Sequence, residues 1–412
     1  MSVDRAYVEE HFDPHDDRLL GAGPLQSDGL SEAIELLLQH CPVTRTDGQW
    51  VGMPDGGWVV SRHEDVKELL RDTTLFSSLK KRDFEEEQIV LLPFEADPPG
   101  HTEIRRILNP YFSLKAVAQL EPMGREVTTT LLDEFIESGR CVDFVSAFAR
   151  PFSSRMQWGW LVGVDEVDHE EVLDWVETWI YRHFEPEFEE ANRAWTRWID
   201  TTIEERRQGP RRDDLIDTLL HAELEGRPLT HDELRGTFMF MILGGFSSTG
   251  DGLANILYRL AVYPELQDEL RAEPELLPDA IEEFLRLDPP VNGSARRCTR
   301  DTVFAGQSFR AGDQIFYNIP AANRDPAAFA NPSELDLRRP ERVSLAFGAG
   351  RHRCLGTNFA RQNIRIVLEE VLTRMRDIRL VDGDPPKRLA SGGAWGLERL
   401  PLVFTPGRRS TA

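Results

Sequence analysis

Cys354 lies in the segment Phe347-Gly-Ala-Gly-Arg-His-Arg-Cys354-Leu-Gly356, directly ahead of a stretch with helical apolar spacing. A thiolate binds metals and a thiol hardly does, so the surroundings of this sulfur decide its chemistry. Glycines at 348 and 350 permit a tight loop that a Cβ would obstruct. The sulfur then sits at the mouth of the next helix, where unpaired N–H groups and the positive end of the helix dipole favour an anion. That placement predicts a lowered thiol pKa, with the Phe347 ring near enough to keep water away. A buried cysteine beside a glycine turn fits the same local description, and only the wider pattern separates the two.

The segment resembles the cofactor loop of the cytochrome P450 family, Phe-x-x-Gly-x-x-x-Cys-x-Gly, at every fixed position. The resemblance implies that Cys354 is the axial thiolate of heme b (iron protoporphyrin IX), pushing electron density onto the iron. It also sets Phe347 and Gly348 against the macrocycle. Other stretches match in the expected order. Glu283-Phe-Leu-Arg286 alone is an i,i+3 pair worth about 0.2–0.5 kcal/mol; the family uses such a pair with a later arginine, here Arg339, as a structural triad. His101 and Arg105 share a helix face and can reach one anionic group. By the resemblance that group is a heme propionate, and Arg296 and His352 are further propionate contacts. Asn323-Arg324-Asp325-Pro326 matches another structural landmark. The likeness covers roughly residues 30 to 405.

One stretch departs. Leu243-Gly244-Gly245-Phe246-Ser247-Ser248-Thr249 stands where the family has Ala/Gly-Gly-x-Asp/Glu-Thr, whose acid and alcohol relay protons toward bound dioxygen at a helix bulge. Gly244 and Gly245 keep the glycines that let the helix open. Ser248 keeps a hydroxyl in the alcohol position, whereas Ser247 cannot hold a proton reserve as a carboxylate does. Asp251, one turn on, reads as a solvated or capping carboxylate, with help to Ser247 through water as the alternative. Ser344 replaces a histidine common in bacterial relatives. The implied function is monooxygenation of a small or medium-sized hydrophobic molecule by dioxygen, with electrons from a ferredoxin and ferredoxin reductase. The alternative, raised by Ser247-Ser248, is a peroxide-using or non-oxygenating heme-thiolate enzyme.

Positioning these groups requires helices above all. Helical spacing is expected over Ser31–Gln39, His63–Leu70, most of the chain from His101 to Leu287, a long helix near Thr237–Tyr258, and Leu355–Met375. The six aromatics of Val172–Arg207 (Trp175, Trp179, Phe184, Phe188, Trp195, Trp198) read as helix packing. Pro289-Pro290 ends the helical run. Short strands are expected at Trp58–Ser61, between Val303 and Phe316, and in the tail Ile378–Phe404, with a long irregular loop over Leu79–Pro99. The fold class is mainly α with small β-sheets, one domain over 1–412, with about 1–28 as an extended N-terminal arm. Four segments should line a pocket: Phe84–Phe94, the helix at Leu243 and Phe246, Val291–Ala295, and Gly392–Leu397 with Trp395. Phe246 is expected to narrow it.

Composition bounds the rest. The chain has 412 residues and a formal net charge of −23, which disfavours nucleic-acid binding. Four scattered cysteines (Cys41, Cys141, Cys298, Cys354) read as reduced thiols, and the polar N-terminus lacks the apolar run of a signal peptide, so a cytoplasmic, membrane-free, monomeric protein is expected. Against the acidic background, Arg351, Arg353 and Arg361, with Arg105 and Arg106 near, form an expected docking patch for an acidic ferredoxin.

Overall fold

The computed structural model describes residues 29–46, 56–79, 89–141, 143–162, 169–182, 185–212, 214–389 and 393–407. The expected N-terminal arm, Phe84, Phe184 of the aromatic stripe and Gly392 lie outside them. The chain is mainly helical with small sheets, as its spacing implies. Helix α1 (Gly29–His40) leads to strands β1 (Val43–Thr46) and β2 (Gly57–Val60), helix α2 (His63–Arg71) and strand β3 (Phe76–Ser77). Then come α3 (Gly100–Leu108), α4 (Glu121–Asp133), β4 (Arg140–Cys141), α5 (Arg150–Gln157), α6 (His169–Tyr181) and α7 (Phe188–Gln208). The central helix α8 (His231–Val262) precedes α9 (Leu277–Leu287), and strands β5 (Gly293–Cys298), β6 (Thr302–Phe304), β7 (Gln307–Phe309) and β8 (Gln314–Asn318) follow. Helix α10 (Thr357–Arg374) runs into β9 (Met375–Leu380), and β10 (Leu397–Arg399) and β11 (Leu402–Pro406) end the described chain.

Five strands form one sheet in the order β1-β2-β8-β5-β3, with β8 parallel to β2 and antiparallel to β5. A second sheet, β9-β11-β4, ties the tail to the helical body. The largest core cluster lies among the helices around α8 and α10, and two smaller ones cover the faces of the five-stranded sheet. The aromatic stripe does pack helices: Trp195 is fully buried edge-on to Trp179, and Trp198 stacks on Phe238.

Helix boundaries follow local chemistry. At 32 residues, α8 is about 48 Å long. It starts at His231, well before Thr237, because Thr230 and Glu233 form a reciprocal capping box. Arg227 pairs with Glu233 and holds its carboxyl at about 2. Helix α1 begins at Gly29 rather than Ser31. Helix α10 begins at Thr357 rather than Leu355, with Gly356 as its cap, and Met375 is already extended.

The residues between β8 and α10 contain little regular structure, and side chains replace backbone ladders there. Arg286 grips both oxygens of Glu283 at 2.7 and 2.8 Å, and Arg339 approaches the same carboxylate at 3.0 and 3.1 Å. All three are at most 3% exposed. Spare guanidinium donors serve the carbonyls of Asn323, Pro332, Ala330, Asn331 and Glu334. Nearby, Asn323 accepts the Leu345 N–H at 2.7 Å and Asp325 accepts the His63 N–H at 2.9 Å. The triad is therefore a scaffold, as its sequence likeness implied. Glu283→Ala would leave two buried guanidiniums without their carboxylate, so urea unfolding should show a loss of about 3–5 kcal/mol.

Candidate active site

Beneath α8 lies a cavity of about 420 Å³, lined mainly by apolar side chains from α8, α9, α10, the five-stranded sheet and the loop before α10, with His101 and Arg105 of α3. Cys354 faces it. The loop is held by the Cys354 N–H, which donates to the Phe347 carbonyl at 2.9 Å, and by the Gly348 N–H, which donates to the Leu345 carbonyl at 2.8 Å. Gly348 and Gly350 both adopt positive φ, +66° and +68°. A Cβ at Gly350 would come within 2.5 Å of the Leu70 carbonyl oxygen, so the loop nests against the end of α2 only as glycine. A Cβ at Gly348 would meet no protein atom within 4 Å, because there bare backbone borders the cavity. Phe347 lines the cavity and is backed by the Arg361 guanidinium, 4.8 Å from its ring centre.

The Cys354 sulfur has an uncovered side toward the cavity yet lies deep in the protein. The sequence predicts a lowered thiol pKa, and here the structure differs. Burial pushes the thiol up, while the Gly356 N–H, the Thr357 hydroxyl and the charges of Arg105 and Arg353 pull it back without reversing the shift. Desolvation outweighs the helix mouth. Such a sulfur gains its charge by binding a metal.

On one rim of the cavity the four expected cationic or imidazole residues come together. The His101 and His352 rings are 4.1 Å apart. Arg105 donates to the Arg353 carbonyl at 2.9 Å, and Arg296 donates to the Ala295 carbonyl at 2.9 Å and lies over the Tyr317 ring. His101 Nδ1 is buried with no hydrogen-bond partner. Burial and then the Arg105 charge hold His101 at about 4, and burial and then Arg296 hold His352 at about 2, so both rings are neutral near pH 7. Among the described residues no carboxylate pairs with Arg105 or Arg296. A buried guanidinium at Arg296, a half-buried one at Arg105 and an orphaned imidazole nitrogen call for an anion.

Above the sulfur, Gly244, Gly245, Ser247 and Ser248 line the cavity. Helix α8 runs through them unbroken, so the expected bulge is absent. The Ser248 hydroxyl donates to the Gly244 carbonyl at 3.1 Å, and the Gln157 amide reaches the Met241 carbonyl. Gly245 must lack a Cβ because one would come within 2.6 Å of that Gln157 amide. Phe246 does not narrow the pocket: it is fully buried and stacked on Trp158. Trp395 is likewise buried, under the Arg388 guanidinium, although Gly393 and Ala394 line the cavity. Asp251 is neither solvated nor a cap; it is 2% exposed. Of the docking patch, Arg351, Arg353 and Arg106 are exposed, while Arg361 is paired with Glu282 at 2.6 and 2.7 Å and Arg105 faces the cavity.

The cavity wall also includes residues the sequence did not single out: Glu95, Phe112, Gln157, Phe240 and Ile180. Phe94 and Phe240 stack across it at 5.3 Å. No spacing rule marks these, since they reach one space from separate elements; only Trp179 carried a signal, as part of the aromatic stripe.

Comparison with known proteins decides the family. Residues 164–396, more than half of the chain, match the family model "Cytochrome P450". The chain belongs to the cytochrome P450 family. Mycinamicin IV hydroxylase/epoxidase of Micromonospora griseorubida is 31% identical, covering 84% of this chain and 89% of the relative. A steroid C26-monooxygenase of Mycobacterium tuberculosis is 35% identical, covering 76% and 85%. Among solved structures, a mutant of P450 EryK in complex with erythromycin B superimposes with a TM-score of 0.83 at 29% identity, covering 93% of this chain and 98% of that one. As a P450, the protein is a heme b-dependent monooxygenase. The residues present fit that cofactor: one sulfur with a free side, bare backbone at Gly348, and two unpaired guanidiniums for a flat molecule bearing two carboxylates. Among the described residues of this P450, no helix is long and apolar enough to cross a membrane.

Removing one rim charge should weaken cofactor binding without unfolding the chain. Arg296→Ala is expected to lower hemin affinity by about 1.5–3 kcal/mol, read as a roughly tenfold or larger rise in Kd in a hemin titration of the apoprotein.

Proposed function

We propose that this P450 inserts one oxygen atom of dioxygen into a hydrophobic organic molecule of small or medium size. It acts as one heme domain, a cytoplasmic monomer, with electrons from a ferredoxin and its reductase. The observation that carries this reading is the uncovered Cys354 sulfur opposite the Ser247-Ser248 face of α8 across a largely apolar cavity. Bound there, heme b supplies the iron chemistry that activates dioxygen.

The chain's own groups supply the rest. Cys354 ligates the iron, and the Gly356 N–H and Thr357 hydroxyl temper the sulfur's charge. Arg105, Arg296, His101 and His352 hold the propionates, whose charge would also draw protons onto the imidazoles. Phe94, Phe240 and their apolar neighbours exclude water and orient the substrate. Relatives named for mycinamicin IV and for a steroid support an organic molecule as the substrate. Arg351, Arg353 and Arg106, exposed on an acidic protein, support an acidic electron donor near the Cys354 loop.

A second reading, peroxide use or a reaction without oxygen insertion, is favoured by the serine in the acid position and the unbroken helix above it. Turnover with reduced ferredoxin against turnover with hydrogen peroxide alone separates the two; peroxide-only turnover selects the second. For either reading, the reduced, carbon monoxide-bound protein is expected to show the strongly red-shifted Soret band of thiolate ligation, and Cys354→Ala should abolish it. Retention of that band in the variant would remove Cys354 from the site.

A further inference from the structure

Ser247 leaves the cavity side of α8 without a carboxylate, but one buried carboxylate stands a turn further on. At 100° per residue, Asp251 points about 20° from the direction of Gly244 and about 40° from that of Ser247. It thus lies on the same side of α8 as the cavity residues, one turn beyond Ser247 of the lining. Helical side chains lean toward the helix N-terminus, which carries Asp251 over the turn that bears Ser247.

Two neighbours fix the carboxylate. The Tyr181 hydroxyl donates to Asp251 Oδ2 at 3.2 Å, and Tyr181 directly follows Trp179 and Ile180 of the cavity wall. On the other side is Gly396, where any Cβ would collide with Asp251 Oδ1, next to the cavity residues Gly393 and Ala394. Behind Tyr181 the Arg150 guanidinium lies 5.4 Å from its ring centre and pairs with Glu177 at 3.2 Å. The Arg150 and Glu177 side chains are 19% and 24% exposed, so this line of groups ends in solvent.

We propose that Asp251, aimed by Tyr181, is the proton reserve for the cavity, acting through Ser247 and refilled from solvent past Glu177. The proposal rests on the P450 reading above. In each cycle the neutral Asp251 carboxyl passes its proton, by way of a water between the two side chains, to the Ser247 hydroxyl oxygen. Ser247 releases its own hydroxyl hydrogen into the cavity. Asp251, now a carboxylate, takes a proton from bulk water along the Glu177 side, so charge and atoms balance. Asp251 is a positioning residue that works through Ser247.

The electrostatics agree with that role. The charged or titratable groups acting on Asp251 are Arg150 from α5 and Tyr181 and Glu177 from α6. Burial pushes the carboxyl up to about 7, with Arg150 and Tyr181 pulling it down and Glu177 adding to the rise. An acid poised near neutrality is suited to giving and regaining a proton. Burial, together with the Asp251 charge, holds Tyr181 well above its usual range, so the phenol keeps its proton and serves to aim the carboxylate.

The test uses the heme-loaded enzyme with its electron donors, in wild type, Asp251→Asn, Asp251→Glu, Tyr181→Phe and Asp251→Asn/Ser247→Asp. Infrared titration of the wild type should show a protonated-carboxyl band that fades as pH rises through about 7, and D251N should lack it. Product formed per electron pair should fall over the same pH range. D251N should keep the red-shifted carbon monoxide band but lose product formation about a hundredfold, with a flat pH profile. D251E and the double variant should recover activity. In Y181F, which removes a group holding the carboxyl down, band and profile should both move to higher pH.

Intact D251N heme spectra with unchanged product yield, or a wild type without the titrating band, overturn the proposal alone. A wild type without the red-shifted band overturns the P450 site reading as well.

Discussion

A sulfur atom that is desolvated and yet has one uncovered side sets the terms for this protein. Burial raises its thiol pKa, and the nearby N–H, hydroxyl and guanidinium groups only partly offset that rise. A bound metal would supply the remaining stabilisation. The surroundings maintain that condition: Gly350 brings the loop against α2, Phe347 shields one flank, and the Glu283–Arg286–Arg339 cluster anchors the irregular chain that delivers the loop. The protein invests its buried ionic contacts in geometry here, since such clusters seldom add net stability over an apolar substitute.

How much of this the sequence revealed depended on whether a feature was local. The Cys354 loop, the Glu283–Arg286 pair and the His101–Arg105 pair each lie within a turn or two of chain, so spacing brings them to notice and the family likeness assigns their roles. Arg339, Arg296 and His352 were legible only through likeness, because nothing in their own neighbourhoods says what they face. The cavity wall was harder still. Glu95, Phe112 and Gln157 arrive from separate elements, and a sequence carries no direct record of that convergence. Phe246 is instructive, since about 200° of helix rotation from Gly244 already turns it away from the cavity. The thiol shift failed for another reason: the helix-end effect was foreseen, but burial, a tertiary quantity, was larger.

The oxygen-side helix shows the same division. Two glycines were read as licence for a bulge, but the helix stays closed. Gly245 is small because Gln157 needs the room, and Gly244 because its surface belongs to the cavity. The serine that replaces the acid is therefore one change in a helix whose polar groups are redistributed: a hydroxyl bonded back to its own helix, a side-chain amide from α5, and a carboxylate one turn later behind the wall.

Arg105 has a consequence of its own. One arm of its guanidinium holds the Arg353 carbonyl, adjacent to Cys354, while the side chain borders the rim where a carboxylated cofactor edge belongs. A single planar fork thus spans the two ends of the cofactor cradle, joining its electrostatic anchor to its covalent one. A lysine would keep the charge, but its compact ammonium lacks the fork. Anchoring strength and the posture of the sulfur loop, tied together in this chain, could then vary independently.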